Sequence, residues 1–178
     1  MNTPPVSIRP AALDDLDAIC GVHARARATT LAGHIPGEGL SGPEVLERQR
    51  VETAEAIASR ELTVLCATRE VDHVVGFAVL GARHEGDRLF HFHIDPEVWR
   101  TGTGTALHRA CVAVWQAAKL ATVRLDVAAP NARARAFYAR QGWLDVARDA
   151  DHVTMSLTLP SEPSSDALSE PSSESSSD

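Results

Sequence analysis

Ile94-Asp95-Pro96-Glu97-Val98-Trp99-Arg100-Thr101-Gly102-Thr103-Gly104-Thr105-Ala106-Leu107 is the stretch that decides the fold of this chain. It follows an apolar run of strand character, Leu89-Phe90-His91-Phe92-His93-Ile94, and leads into a run of helix character. A strand that stops at a proline, turns through two close glycines and starts a helix makes an anion site. Glycine permits backbone conformations and close approaches that other residues resist. The helix N-terminus adds unpaired N–H groups and the positive end of a dipole. The expected ligand therefore carries phosphates. Two common phosphate motifs are excluded. No Lys follows Gly104, so this is not a Gly-x-x-x-x-Gly-Lys-Ser/Thr loop. The dinucleotide fingerprint needs a third glycine where Leu107 stands, and no acid about twenty residues on has the right spacing from a first strand.

A second feature lies downstream. Val123-Arg124-Leu125-Asp126-Val127 alternates apolar and charged residues, as a half-buried strand does, and Ala128-Ala129-Pro130 ends it. Asn131 stands where a helix N-cap belongs. The helix carries Ala134, Phe137 and Tyr138 on adjoining faces and stops at Gly142, with Trp143 next. The combination Asn131-x-x-Ala134-x-x-Phe137-Tyr138-x-x-x-Gly142-Trp143 resembles the closing signature of the GNAT superfamily of N-acetyltransferases. The two blocks occur in the family's order and at its separation, and the likeness extends more loosely over about residues 5 to 159.

That resemblance implies an α/β fold with a mixed, mostly antiparallel central sheet flanked by about four helices. It implies transfer of an acetyl group from acetyl-coenzyme A, as donor substrate, to a primary amine by direct attack in a ternary complex. The backbone of the central strand, here Phe92 through Ile94, would pair with the pantetheine arm. The pyrophosphate would lie on the N–H groups of Arg100, Thr101, Gly102, Thr103, Gly104 and Thr105. Thr105 stands at the helix start, where its hydroxyl adds a hydrogen bond. The family's Gln or Arg three residues before the first glycine is replaced by Trp99, and Arg100 beside it supplies positive charge. Asn131 would contact the coenzyme as well as cap its helix. Tyr138, the one tyrosine of the chain, occupies the position whose phenol protonates the leaving thiolate.

The general base is less direct. Where many family members carry Glu early on the central strand, this chain has Arg88, which cannot accept a proton. His91 and His93 share one face of that strand by period-two alternation and titrate in a suitable range. They serve either as the base or as hydrogen-bonded core residues facing a helix layer, and Asp87 is the other candidate base nearby. Arg88 also leaves open a second class of function, a non-catalytic acyl-coenzyme A-binding sensor or interaction module of the same fold.

Composition sets the frame. The chain has 178 residues, 44% of them hydrophobic, which suits one domain with a core. We expect one domain over 1–159 and a disordered tail over 160–178. The tail carries five acids and no Lys or Arg, so it holds −5 of the net charge of −7 and is otherwise rich in Ser and Pro. The near-neutral body has no basic stripe and argues against a nucleic-acid partner. No run of eighteen apolar residues suggests a membrane span. The N-terminus lacks the regions of a signal peptide, and Cys20, Cys66 and Cys111 are widely spaced among apolar neighbours. They read as buried thiols in a reducing cytoplasm, not as bridges or metal ligands, and no metal is expected. The resemblance admits a homodimer.

The expected order is β-α-α-β-β-β-α-β-α-β-β. Val6–Pro10 is a short strand and a helix runs from about Asp14. Residues 30 to 40 are a Gly-rich loop in which His34 or Glu38 would meet a cationic acceptor, a small molecule or a peptide amine. Ser41-Gly42-Pro43-Glu44 reads as a capping box for a second helix to about Ser59. Strands at 62–67 and 74–80 flank a polar turn from Arg69 to His73. The central strand is 88–94, and the helix 103–120 places Leu107, Cys111, Val114 and Ala118 at core spacing. A strand at 122–128, a helix at 131–141 and strands near 143–148 and 152–158 complete the order.

Overall fold

The structure, a computed structural model, describes residues 5–31, 42–70, 72–81 and 87–160, with backbone only at 30 and 31. His34 and Glu38 of the expected acceptor loop, Ser41 of the expected capping box, and the tail from 161 lie outside the described residues.

The elements follow the expected order. They are β1 (Ser7–Pro10), α1 (Leu16–Leu31, entered through a 3-10 turn at Leu13–Asp15), α2 (Pro43–Ala58), β2 (Leu62–Arg69), β3 (His73–Gly81), β4 (Leu89–Ile94), α3 (Thr103–Ala117), β5 (Thr122–Ala128), α4 (Ala132–Arg140), β6 (Leu144–Arg148) and β7 (His152–Thr158). A second 3-10 turn, Pro96–Val98, follows β4. Four strands form one antiparallel sheet in the order β1-β2-β3-β4, and three form another in the order β5-β7-β6. The two sheets touch through one parallel bridge, Arg88 to Arg124. That bridge makes the whole arrangement mixed.

Alternation on β2 and β3 builds two cores. Leu65, Ala67, Ala78 and Leu80 face one way and pack with Leu107, Cys111, Trp115 and Trp143. Val64, Cys66, Phe77 and Val79 face the other way, under Ile19 and Val22 of α1. Long strands buried on both faces read as continuous apolar runs, which Val74–Leu80 does.

Three local expectations are corrected. Gly42 is the N-cap of α2, with Pro43 at the first helical position and no side-chain cap. Proline fits there because its missing N–H would have had no helical partner. Arg69 is not in a turn: it closes β2 and is buried, 7% exposed. α3 ends at Ala117, and its buried stripe is Leu107, His108, Cys111 and Trp115. Leu107 and Cys111 are buried as expected, but Val114 is half-buried and Ala118 exposed, so the later part of the stripe passes to Trp115.

Candidate active site

The splay between the two sheets forms the site. At its closed end the Arg124 N–H donates to the Asp87 carbonyl at 2.8 Å, and the Arg88 guanidinium pairs with the Asp126 carboxylate at 2.6 Å. Beyond that point β4 and β5 diverge around a cavity of about 1120 Å³. The Asp95 N–H donates to Val75 of β3 at 2.8 Å. Antiparallel strands alternate, so the main-chain groups of His91 and His93 also face β3, and those of Phe92 and Ile94 face the open edge. The Ile94 carbonyl is already occupied there, accepting the Trp99 indole N–H at 3.0 Å. Phe92 and the Ile94 N–H remain available to an extended ligand.

The glycine loop lies at the mouth. Asp95, buried, accepts from the Glu97 N–H at 3.1 Å and from Arg25 of α1 at 2.6–2.8 Å, so α1 pins the start of the loop. Arg100 and Gly102 both have positive φ, +63° and +84°. Ala106 is the first residue of α3 whose N–H enters the helix ladder, donating to Gly102 at 3.0 Å. The N–H groups of residues 100–105 donate to none of the described main-chain carbonyls. A cluster of unused N–H groups at a helix start is an anion cradle. Arg100 is exposed beside it.

The side chains of two loop threonines point away from the mouth. Thr101 and Thr103 turn inward onto Arg69, whose guanidinium donates to their hydroxyls at 2.8 and 3.0 Å. Thr103 is fully buried. Only their N–H groups are left for a ligand. The two glycines are also required for separate reasons. A Cβ on Gly102 would meet nothing, so its left-handed φ alone demands glycine. A Cβ on Gly104 would meet the Phe137 ring at 3.3 Å, so this glycine also lets α4 pack closely on α3.

Asn131 caps α4, its side-chain oxygen accepting the Ala134 N–H at 3.1 Å, and it lines the cavity. Phe137 stacks on Phe92 with centroids 5.6 Å apart. Tyr138 is buried between Phe92, Phe137 and Trp143, with centroids 5.4–6.1 Å away, and lines the same cavity. Burial pushes its phenol above the usual range, so it stays protonated. Arg133 was not singled out in the sequence. Its guanidinium lies over the Trp99 ring, 3.3 Å from the centroid, and brings a second cation to the mouth. Arg140 lines the cavity as well.

His91 and His93 do share a face. It is the face toward α1, opposite Phe92, where His93 and His23 lie 4.3 Å apart by centroid. Both His91 and His93 line the cavity. Burial lowers the pKa of each, His93 well below the ordinary value, and neighbouring histidines add to that effect at His93. Both rings are therefore neutral and able to accept a proton. His23, 68 residues upstream of His91, carried no local signal in the sequence. Arg69 was hidden in a polar run.

No curated protein matches the chain. Solved structures do. The PaiA N-acetyltransferase from Thermoplasma acidophilum, in complex with coenzyme A, superimposes with a TM-score of 0.74 at 18% identity, over 86% of this chain and 99% of that one. A ribosomal-protein alanine N-acetyltransferase from Escherichia coli gives 0.68 at 21% identity, over 90% and 98%. An N-acetyltransferase from Staphylococcus aureus gives 0.65 at 16% identity, over 88% and 99%. These likenesses speak for the fold. The sequence profile of the acetyltransferase (GNAT) family matches residues 36–143, more than half of the chain. With the splayed strands, the N–H cradle and the tyrosine helix in place, this chain belongs to the GNAT family of acetyltransferases and to its acetyl-coenzyme A-dependent chemistry.

Proposed function

We propose that the protein is an N-acetyltransferase that moves the acetyl group of acetyl-coenzyme A to a primary amine by direct attack, without a covalent enzyme intermediate. The observation that carries this reading is the position of Tyr138. Its protonated phenol lines the cleft that the glycine loop opens onto. A binder needs the loop but has no use for a proton donor deep in the cleft.

The roles follow from the geometry. The N–H groups of residues 100–105, with Arg100 and Arg133, hold the pyrophosphate. The Phe92 main chain and the Ile94 N–H hold the pantetheine arm along the open edge of β4. This positioning supplies most of the acceleration in a ternary complex. His91 or His93 takes the amine's proton, directly or through a water, and Tyr138 gives a proton to the departing thiolate. The acceptor is a small-molecule or peptide amine entering from the α1–α2 side, in a cytoplasmic setting.

The test follows free coenzyme A thiol while the protein is incubated with acetyl-coenzyme A and a panel of amines. Amine-dependent thiol release supports the enzyme. Saturable binding of acetyl-coenzyme A with no release across small amines, polyamines and peptide N-termini would assign the chain to the non-catalytic module instead.

A further inference from the structure

His23, His91 and His93 gather on the α1 face of β4, away from the glycine loop and from Tyr138. His91 and His93 are two residues apart on one strand, and His23 reaches them from α1. The ring centroids are 4.3 Å (His23 to His93), 5.5 Å (His23 to His91) and 6.0 Å (His91 to His93) apart. One ring nitrogen of each lies within 4.8 Å of one from each of the others. Nitrogens bound to one tetrahedral ion at the usual Zn–N length stand roughly 3.4 Å apart. Small rotations of rings already facing one another close that difference.

The chemistry of the trio is that of a metal site. A neutral imidazole has one bare lone pair, the form that binds a metal without releasing a proton. The Gln49 amide meets Nδ1 of His23 and fixes that ring; with the amide oxygen turned to accept the Nδ1–H, Nε2 is the bare nitrogen an ion would take. The rings of His91 and His93 have no hydrogen-bond partner among the described residues. His23 is buried beneath the other two, His93 is half-buried and His91 exposed, so an ion can reach the trio from solvent. A second cavity of about 290 Å³ opens beside His23 and His91, with Glu52 on its wall, and His91 and His93 also border the coenzyme cleft. Glu52 offsets the positive charge of Arg27 near the rings. Imidazole donors select zinc, copper, nickel and cobalt over the hard cations magnesium and calcium.

We propose that His23, His91 and His93 form a three-histidine site for a borderline divalent transition metal, Zn²⁺ by preference, with its remaining position open to the cavity. Three protein ligands and an open position is the arrangement of an accessible zinc site rather than a closed structural one. The reading of His91 and His93 as the base of acetyl transfer has a consequence here. An ion on the trio holds their lone pairs, so transfer falls as the site fills. That consequence rests on the acetyltransferase reading; metal binding does not.

The experiment uses the full chain, stripped of metal with a chelator, and titrates Zn²⁺ by calorimetry against a competing chelator. Co²⁺ in its place reports geometry through its visible absorption. The expected result is one equivalent bound per chain, intense tetrahedral Co²⁺ bands, and an affinity that drops on the order of a hundredfold in His91→Gln and in His23→Gln. Cys20→Ser, which removes the half-buried thiol, should leave binding unchanged. His91 lies at the outer edge of the cluster, so His91→Gln remains informative if His23→Gln fails to fold, and its coenzyme A affinity reports that it has folded. Absence of saturable binding, binding unaltered in His91→Gln, or binding lost in Cys20→Ser overturns the site. Binding with the expected losses but undiminished acetyl transfer upholds the site and removes His91 and His93 from the mechanism.

Discussion

Tyr138 sits where a phenol holds its proton until a thiolate forms beside it. Burial disfavours the phenolate, and no cation among the described residues offsets that. Tyr138→Phe keeps the ring among Phe92, Phe137 and Trp143 and deletes only the proton. Turnover should therefore fall about 10²-fold, as for loss of a general acid, while coenzyme A affinity holds. Equal rates for both proteins would take Tyr138 out of the mechanism. His108 shows the same physics with the opposite sign of charge. The Trp143 indole N–H donates to its Nε2 at 2.8 Å, so that nitrogen must be bare. Burial lowers its pKa from 6.5 to about 4. The folded value lies below the unfolded one, so its contribution is complete above 6.5 and drains away as the pH falls toward 4. Across that window the loss is about 3 kcal/mol. His108→Gln retains an acceptor for the indole and should flatten this part of the stability–pH curve, read from urea midpoints. A slope as steep as that of the parent protein would point to His23 and His93 instead.

At the scale of elements, the loop between β4 and α3 depends on two unlike devices, and variants separate them. Gly102 supplies a left-handed turn at the N-cap of α3. Gly102→Val adds strain of about 1–2 kcal/mol and turns the first N–H groups of α3 out of line. Coenzyme A affinity should drop sharply while the rest of the fold survives. Arg69 acts from behind, binding Thr101 and Thr103 across a separation of more than thirty residues. Arg69→Met strands two inward hydroxyls, so it should cost about 1–3 kcal/mol of stability as well as affinity. Calorimetry of coenzyme A binding beside chemical denaturation distinguishes the two. A Gly102→Val protein with parental affinity would mean the pyrophosphate lies elsewhere. These devices also show what the sequence could tell. The glycine loop and the Asn131-to-Trp143 block were legible because each is one continuous segment with local chemistry. The element order was legible because β2 and β3 are apolar runs and α4 has its cap and stop in place. Arg69, His23 and Arg133 were not, because their partners arrive from other elements. The packing part of Gly104's role was hidden for the same reason, since the ring that crowds a side chain there is Phe137 on another helix. Only the later part of the α3 stripe differed, because Val114 and Trp115 are both apolar and packing selects between them.

The described residues form two sheets that meet at one corner. The Arg88–Arg124 bridge and the Arg88–Asp126 ion pair hold that corner, while the ligand cleft separates the rest of β4 from β5. Asp126 also accepts the Thr154 hydroxyl at 2.6 Å, so the ion pair is anchored in β7 of the second sheet. A ligand that runs from the glycine loop along β4 toward Tyr138 touches both halves, and the unfolded chain offers it no such surface. Linkage then makes coenzyme A a stabiliser: at a hundredfold its dissociation constant it adds about 2.7 kcal/mol. For a domain of this size each kcal/mol raises Tm by roughly 2–4 °C, so the shift should be on the order of 5–10 °C. Tyr138→Phe should retain the full shift, because the phenol proton is not needed for binding. Gly102→Val should lose it at the same coenzyme concentration. A 3′,5′-ADP fragment, which reaches the loop but not the β4 edge, should give a smaller shift than coenzyme A when each is added at one fixed concentration. Equal shifts from the fragment and the whole coenzyme would show that the pantetheine arm gains nothing from Phe92 and Ile94, and that the splay between the sheets is not where it lies.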